Sequence, residues 1–171
     1  MKRLPALTLA LLVLAPLHAN AQSGGFAAID AVFSHIDPKN VAGSADVNAV
    51  QFRFGAALNN AATLAGEFRA GLGFGRDTSG GVRYEVDRHF GAYFRGQFPN
   101  RMPLRPYGLI GVTRVETTQG GRGDNYNDMS LGLGADYTIN KDVFVSVEYL
   151  RAVDRSEAEV SNFTIGVGAR F

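Results

Sequence analysis

The chain has 171 residues and no cysteine, and its 17 Lys and Arg against 16 Asp and Glu leave a formal net charge of +1. The lack of cysteine excludes a disulfide framework, so the fold depends on burial and on backbone hydrogen bonds. The near balance of charge disfavours a nucleic-acid partner, because such proteins normally concentrate a basic surplus on one face. The length suits a single domain.

The first 21 residues have the pattern of a secretory signal peptide. Lys2 and Arg3 precede an apolar run at 4–17, and small residues at 19–21 precede Gln22. The run is too short for a membrane-spanning helix. We therefore assign residues 1–21 to a signal peptide and residues 22–171 to one domain, in which the basic count falls to 15 against the same 16 acids.

Eight later segments of about ten residues alternate between apolar and polar positions, and turn-rich stretches separate them. This even number and spacing is typical of a transmembrane β-barrel. No later apolar run is long enough for a membrane helix, so a membrane location requires strands. The sequence therefore predicts an all-β fold, an eight-stranded antiparallel up-and-down transmembrane β-barrel, with strands at 26–36, 47–58, 63–75, 82–98, 106–116, 128–138, 142–151 and 161–171.

The two phases of these strands differ in charge. In the strand 128–138, for example, Met129 and Leu131 alternate with Ser130 and Gly132. Across the eight strands the apolar phase carries no charge once the fourth strand is counted from Phe90. The opposite phase carries ten charges, which we predict to form a lumen charge network: Asp30, Arg53, Glu67, Arg69, Arg95, Arg114, Glu116, Asp136, Glu148 and Arg170.

The inverted arrangement, with the apolar phase inside, would give a soluble periplasmic ligand-binding barrel. Ten glycines in the polar phase favour the membrane barrel instead. A narrow lumen needs small residues beside long Arg and Glu side chains, whereas on a solvated face glycine only weakens a strand. We expect the charged phase to line the lumen and the apolar phase to face outer-membrane lipid.

Some positions fit this pattern poorly. Arg88 falls on the apolar phase, and we assign it to a hairpin that rises above the membrane. Placing Arg114 inward turns Ile110 and Val112 inward as well, unless a bulge changes the phase of that strand. Aromatic residues near strand ends are predicted to form two interfacial girdles, namely Phe33, Phe74, Phe98, Tyr107, Tyr137, Tyr149 and Phe171.

The closing stretch NFTIGVGARF has a polar residue, a glycine two positions later, and hydrophobic residues at the antepenultimate and last positions: Thr164, Gly166, Ala169 and Phe171. Together with RPYGLIGVTRVE at 105–116 and LGLGADYTINKDVFVSVEYLR at 131–151, these residues make the domain resemble the small eight-stranded outer-membrane β-barrel family of the OmpX and OmpA membrane-domain type. The resemblance implies a bacterial outer-membrane location. It also implies that periplasmic chaperones and the β-barrel assembly machinery are partners during biogenesis, with those four residues as the assembly signal.

Five Arg against five acids in the lumen suggest pairing. Because side chains just fill an eight-stranded barrel, we interpret the network as a structural plug. The expected role is structural, in membrane integrity, or interactive, through surface ligands of the extracellular loops, and we expect the protein to be a monomer. A narrow ion-conducting pore is the alternative.

Neither an enzyme nor a cofactor or metal site is expected. The domain contains only His35 and His89, and Ser34 next to His35 points to the opposite face of its strand. The predicted extracellular loops are 37–46, 76–81, 117–127 and 152–160. An RGD triplet at 122–124 lies in one of them, but so short a match is common by chance. The stretch DNYND at 124–128 lacks the pattern of a calcium loop and is interpreted as a turn.

Overall fold

The computed structural model describes residues 24–38, 45–74, 77–79, 82–100, 102–119, 122–154 and 158–171, so the predicted signal peptide lies outside the described residues. Within these ranges no helix has the length and apolarity needed to cross a membrane. The strands are β1 Gly25–Pro38, β2 Ala45–Ala57, β3 Leu64–Phe74, β4 Asp77–Ser79, β5 Val82–Gln97, β6 Leu104–Gln119, β7 Arg122–Thr138, β8 Val143–Asp154 and β9 Ala158–Arg170.

The strands close into a barrel in which all pairings are antiparallel. Neighbours follow the chain, β3 pairs with β5, and β1 pairs with β9 from Phe26 opposite Arg170 to Pro38 opposite Ala158. The short β4 pairs with β5 beyond the end of β3. Strands β3 and β4 therefore share one of the eight strand positions around the barrel. The predicted eight-stranded up-and-down barrel is confirmed.

The two ends of the barrel differ. At the terminal end, β1 and β9 meet through two hydrogen bonds of 2.9 Å between Gly25 and Phe171, and the connections at 58–63, 98–103 and 139–142 are short. In the first of these, the Asn59 side-chain carbonyl accepts hydrogen bonds from the Thr63 and Leu64 amides at 3.0 and 3.1 Å. The opposite end, the hairpin end, is where β1 and β2, β6 and β7, and β8 and β9 approach one another.

The strands extend further at the hairpin end than the sequence predicted. The β6–β7 register continues to Gln119 opposite Arg122, so Gly123 and Asp124 of the RGD triplet lie within β7. The interpretations of 117–127 as a loop and of 124–128 as a turn are therefore wrong. Strands β1, β2, β8 and β9 likewise enter the expected loops at 37–46 and 152–160.

Strand β6 has the opposite phase to the predicted one. Tyr107, Leu109 and Thr113 are buried in the lumen, whereas Ile110 and Val112 are exposed on the outer face. The pairing of β6 with β7 is regular throughout, and the register shift lies in β5, between Val86 and Arg88. The apolar phase of β6 thus follows the same rule as the other strands, and no change of phase within β6 is needed.

Inward-facing glycines lie directly opposite large side chains on the neighbouring strand. A Cβ on Gly134 would meet the ring of Tyr107, and a Cβ on Gly168 would meet the ring of Phe144. The same cross-strand arrangement joins Gly55 to Phe26, Gly71 to His89 and Gly166 to Asp30. These glycines make room mainly for inward-facing rings of the neighbouring strand.

Candidate functional site

The lumen holds a continuous cluster of charged side chains. Of the ten predicted network residues, the structure brings eight together as four Arg and four acids. Seven of them are at most 4% exposed, and only Arg170 is partly open. The eight are Asp30, Arg53, Glu67, Arg69, Arg95, Asp136, Glu148 and Arg170.

A bidentate ion pair crosses the middle of the lumen. Arg69 on β3 donates two hydrogen bonds to Glu148 on β8, at 2.5 and 2.8 Å. Its Nε also donates to Glu67 Oε1 at 2.6 Å, and its guanidinium lies 4.6 Å from the ring centroid of Tyr93. One arginine therefore joins two carboxylates and an aromatic face, a geometry to which the planar fork of Arg is suited.

Arg53 occupies the neighbouring position and is fully buried. It donates from Nη2 to Asp30 at 2.8 Å and to the Ser146 hydroxyl at 2.5 Å. Its Nε lies 2.8 Å from the other Asp30 oxygen, but the N–H is not directed at that oxygen, so this contact is an ion pair without a hydrogen bond. The Tyr107 hydroxyl, 3.5 Å from Arg53, donates to Glu148 at 2.9 Å and links Arg53 to the central pair.

Toward the terminal end, Asp136 joins two arginines. Arg95 and Arg170 both donate to its Oδ2, at 2.6 and 2.7 Å. Arg95 also lies over the ring of Tyr107 at 3.6 Å, and Arg170 lies over that of Phe144 at 4.3 Å. Cation–π contacts of this kind add to the hydrogen bonds with Asp136 in holding the guanidinium groups in place.

Neutral polar groups extend the network toward the hairpin end. Gln51 donates to Asp30 at 2.9 Å, and its carbonyl lies 2.9 Å from His89 Nε2. A second chain of hydroxyls runs from Tyr93 through Thr113 to Ser130, with two contacts of 2.6 Å. Sequence reasoning missed all of these residues because it searched for charge. Their inward phase was the signal that could have found them.

Two predicted network residues are not in the lumen. Arg114 and Glu116 lie on the outward phase of β6, where the Arg114 side chain is 49% exposed and its Nε lies 3.4 Å from Glu116 Oε1. The prediction was wrong because the phase of β6 was assigned from these charges, whereas Tyr107 and Leu109 determine it. Tyr107 is 1% exposed, so it is not part of an aromatic girdle either.

Apolar side chains lie in the lumen on both sides of the charged cluster. On the hairpin side, Val32, Val47, Ala49 and Val115 are each at most 5% exposed. On the terminal side, the rings of Phe26 and Phe144 pack edge to face with centroids 6.1 Å apart, against Ala28 and Ala65. The ion pairs of Arg53 and Arg69 therefore lie between two groups of apolar side chains, whereas Arg95 and Arg170 lie level with the terminal-side group, opposite Ala65 and Phe26.

The outer face carries a band of exposed apolar side chains on all eight long strands. On β7 the band runs from Met129 to Tyr137, eight steps of about 3.4 Å, which at a tilt of about 40° spans roughly 21 Å. This is close to the apolar band of about 25 Å found on outer-membrane barrels. Polar residues occupy the next outward positions on the hairpin side: His35, Asn48, Arg88, Arg114, Asn127 and Arg151.

The last strand follows the predicted alternation. Thr164 and Gly166 face the lumen, where a Cβ on Gly166 would meet the Asp30 carboxylate. Ala169 lies opposite Ala27 of β1, and Phe171 is 38% exposed at the outer rim of the terminal end. The four residues of the predicted assembly signal are thus divided between the two faces of one strand.

This combination of charged lumen and apolar exterior agrees with the comparison to protein families. Residues 6–171 match the model of the outer membrane protein beta-barrel domain. The chain belongs to this family. It is therefore an outer-membrane β-barrel protein of bacteria, and the soluble periplasmic binder considered above is set aside, since the apolar phase faces outward.

Several solved structures of this kind are similar to the barrel. Neisserial surface protein A (NspA) shares 16% identity with a TM-score of 0.68, over 86% of this chain and 97% of that one. Ail, the attachment invasion locus protein of Yersinia pestis, shares 11% with a TM-score of 0.66, over 87% and 99%. The N-terminal barrel domain of Pseudomonas aeruginosa OprF shares 14% with a TM-score of 0.60, over 88% and 100%.

At these identities the similarity establishes the fold. No curated protein matches the chain at a significant level. The family and the three structures are described as outer-membrane or surface proteins, and none of these descriptions names an enzyme.

Proposed function

We propose that this outer-membrane barrel is a non-catalytic structural protein, closed along its axis, that holds long hairpins above the membrane surface. The observation that carries this proposal is the charged cluster of the lumen, in which four arginines and four carboxylates pair across the barrel and apolar side chains fill the remaining space on the hairpin side and the terminal side. An ion moving along the axis would have to separate these pairs and pass both groups of apolar side chains.

The cost of opening supports a closed barrel. Breaking a buried ion pair by removing one partner costs about 3–5 kcal/mol, because the remaining charge stays buried without compensation. The Arg69–Glu148 pair spans the lumen between β3 and β8, which are four positions apart in a ring of eight. Displacing that pair would expose both groups and also disturb Glu67 and Tyr107, which share the same partners.

The hairpins support a role at the surface. Strands β6 and β7 remain paired for several residues beyond Val112 and Met129, where the outer apolar band ends. NspA is named a surface protein, and Ail was solved in complex with the heparin analogue sucrose octasulfate. We infer that the hairpins are the part of this chain that meets ligands outside the cell, and that the barrel acts as a monomer.

Biogenesis follows from the same proposal. We infer that periplasmic chaperones deliver the chain, and that the β-barrel assembly machinery recognises its last strand through Thr164, Gly166, Ala169 and Phe171. The pairing of β9 with β1 supports this, because a barrel strand left unpaired would expose backbone groups to hydrocarbon.

Planar-bilayer recording tests the closed lumen. The purified protein should give no steps of unitary conductance across repeated insertions, and Arg69→Ala should introduce leak, because it removes the side chain that crosses the lumen. Arg114→Ala, which changes the same residue type on the outer face, is the matched control and should stay silent. Reproducible conductance of the unmodified protein that Arg69→Ala alters and Arg114→Ala leaves unchanged would establish the narrow ion pore instead.

A further inference from the structure

A small cavity opens at the terminal end of the lumen. Its volume is about 80 Å³, and three arginines and one acid line it, Arg95, Arg105, Arg170 and Asp136, together with small residues such as Gly24 and Ala62. We call it the mouth cavity. Since one water occupies about 30 Å³ in the liquid, the space suits two or three waters or one tetrahedral oxoanion.

The charge of the mouth cavity is not balanced. The four arginines and four acids of the lumen network, three of which line the mouth cavity, cancel in charge, and Arg105 adds a fifth positive charge that forms no ion pair with any acid of the described residues. Arg105 also repels Arg170 electrostatically. Excess positive charge beside apolar walls is costly unless an anion compensates it.

Two polar atoms in this region have no hydrogen-bond partner. The Arg105 Nε is buried and its N–H is unused, and the Asp136 Oδ1 is buried and accepts nothing, although Oδ2 of the same carboxylate accepts from both Arg95 and Arg170. Buried polar groups are normally satisfied, so an unpaired donor and an unpaired acceptor on two residues that face each other across β6 and β7 require an explanation. Together they call for a ligand that both accepts and donates.

We propose that the mouth cavity binds a hydrogen phosphate group. The unprotonated oxygens of the group accept from Arg105 Nε and from Arg170, whose side chain is 22% exposed and faces the opening. The P–OH donates to Asp136 Oδ1. Sulfate has the same shape but no proton at neutral pH, so it would place an oxygen against the carboxylate and bind poorly.

Isothermal titration calorimetry tests this site. Inorganic phosphate is titrated into the folded protein in dodecyl maltoside. We expect saturable 1:1 binding that Arg105→Gln weakens by at least about tenfold, because charge-assisted hydrogen bonds are lost. Arg114→Gln, with the same charge change on the outer face, should bind like the unmodified protein. Methyl phosphate and dimethyl phosphate distinguish the possible sources of the phosphate group. If the monoester binds and the diester does not, a phosphate monoester can be the ligand. If neither ester binds, the ligand is free phosphate.

Discrimination against sulfate tests the role of Asp136. The unmodified protein should prefer phosphate to sulfate at least about tenfold, and Asp136→Asn should reduce this preference, because an amide can donate to sulfate. Heat-dependent gel mobility checks that each variant is folded. The proposal is overturned if phosphate does not bind saturably, if Arg105→Gln and Arg114→Gln have equal effects, or if sulfate binds as well as phosphate.

Discussion

Arg69 and Glu148 lie on opposite sides of the barrel and are joined by two parallel hydrogen bonds of 2.5 and 2.8 Å, with both side chains about 1% exposed. The pair connects strands that never touch through their backbones. The pair therefore holds the cross-section of the barrel in one shape, and we expect its loss to lower the free energy of unfolding.

Glu148→Ala should lower the free energy of unfolding by about 3–5 kcal/mol, because Arg69 and the Tyr107 hydroxyl lose their acceptor in a buried layer. Urea unfolding in detergent micelles measures the change. Because the chain has no tryptophan, the unfolding is monitored by far-ultraviolet circular dichroism or by gel mobility. Glu116→Ala removes a carboxylate from the exposed pair with Arg114 and should cost less than about 1 kcal/mol. Equal losses for the two variants would contradict the account.

The glycines make a second prediction. A Cβ on Gly111 would collide with the backbone carbonyl of Ala92, whereas a Cβ on Gly96 meets nothing within 4 Å. Gly111→Ala should therefore destabilise the barrel by about 1–3 kcal/mol, the usual cost of overpacking. Gly96→Ala should be neutral within about 0.5 kcal/mol. Thermal unfolding of the two variants in the same micelle separates them, and a tolerated Gly111→Ala would count against the backbone contact.

If the outer band faces lipid, the free-energy cost of placing a charged side chain on it should depend on the depth of the position in the bilayer. Leu133 is the middle outward residue of β7 and is 72% exposed, so Leu133→Arg should cost about 2–4 kcal/mol in a bilayer. Asn48→Arg, at the hairpin-side border of the band, should cost about 0–1 kcal/mol. Equilibrium unfolding from lipid vesicles measures both. If the two substitutions proved equally mild, Leu133 would not face hydrocarbon.

The last residue predicts a difference between cells and micelles. Phe171→Ala removes a ring that lies against Gly25 at the rim but keeps both backbone hydrogen bonds to Gly25, so it should leave refolding into detergent nearly unchanged. If Phe171 is part of the assembly signal, the same change should reduce the amount of folded protein in the outer membrane of cells. Quantitative gel mobility measures that amount. Phe163→Ala, in the middle of β9 and outside the predicted signal, is the control and should assemble normally. A refolding defect in detergent would assign the effect to stability instead of recognition.

The alternation of the sequence was sufficient to predict the barrel, its strand number and the lumen positions of Arg53, Arg69 and Glu148. Period two fixes which residues share a face, and in a strand with clear contrast, such as β9, one assignment is possible. The hairpin lengths could not be predicted, because beyond the membrane border both faces are polar and the pattern that marks a strand disappears.

Strand β6 shows where the pattern fails. Its two phases both contain apolar residues, so only the charges of Arg114 and Glu116 distinguish the phases in the sequence, and these two residues lie beyond the border of the band. The structure decides the phase through Tyr107, whose ring covers Gly134 and stacks on Arg95. Such cross-strand contacts depend on register, which a single sequence does not specify, and for the same reason Arg105 could not be placed at the mouth cavity.

Lipid contacts the apolar phase of every long strand, and the charged phase is enclosed in the lumen. Nitroxide labels placed one at a time at positions 129–137 of β7, in lipid vesicles, test it by their collision rates with oxygen and with a water-soluble nickel chelate. We expect accessibility to alternate with a period of two, with oxygen reaching labels at Met129, Leu131, Leu133 and Tyr137 and neither reagent reaching Ser130 or Asp136. Access of the nickel chelate to Leu131 and Leu133, with oxygen favouring the intervening positions, would contradict it.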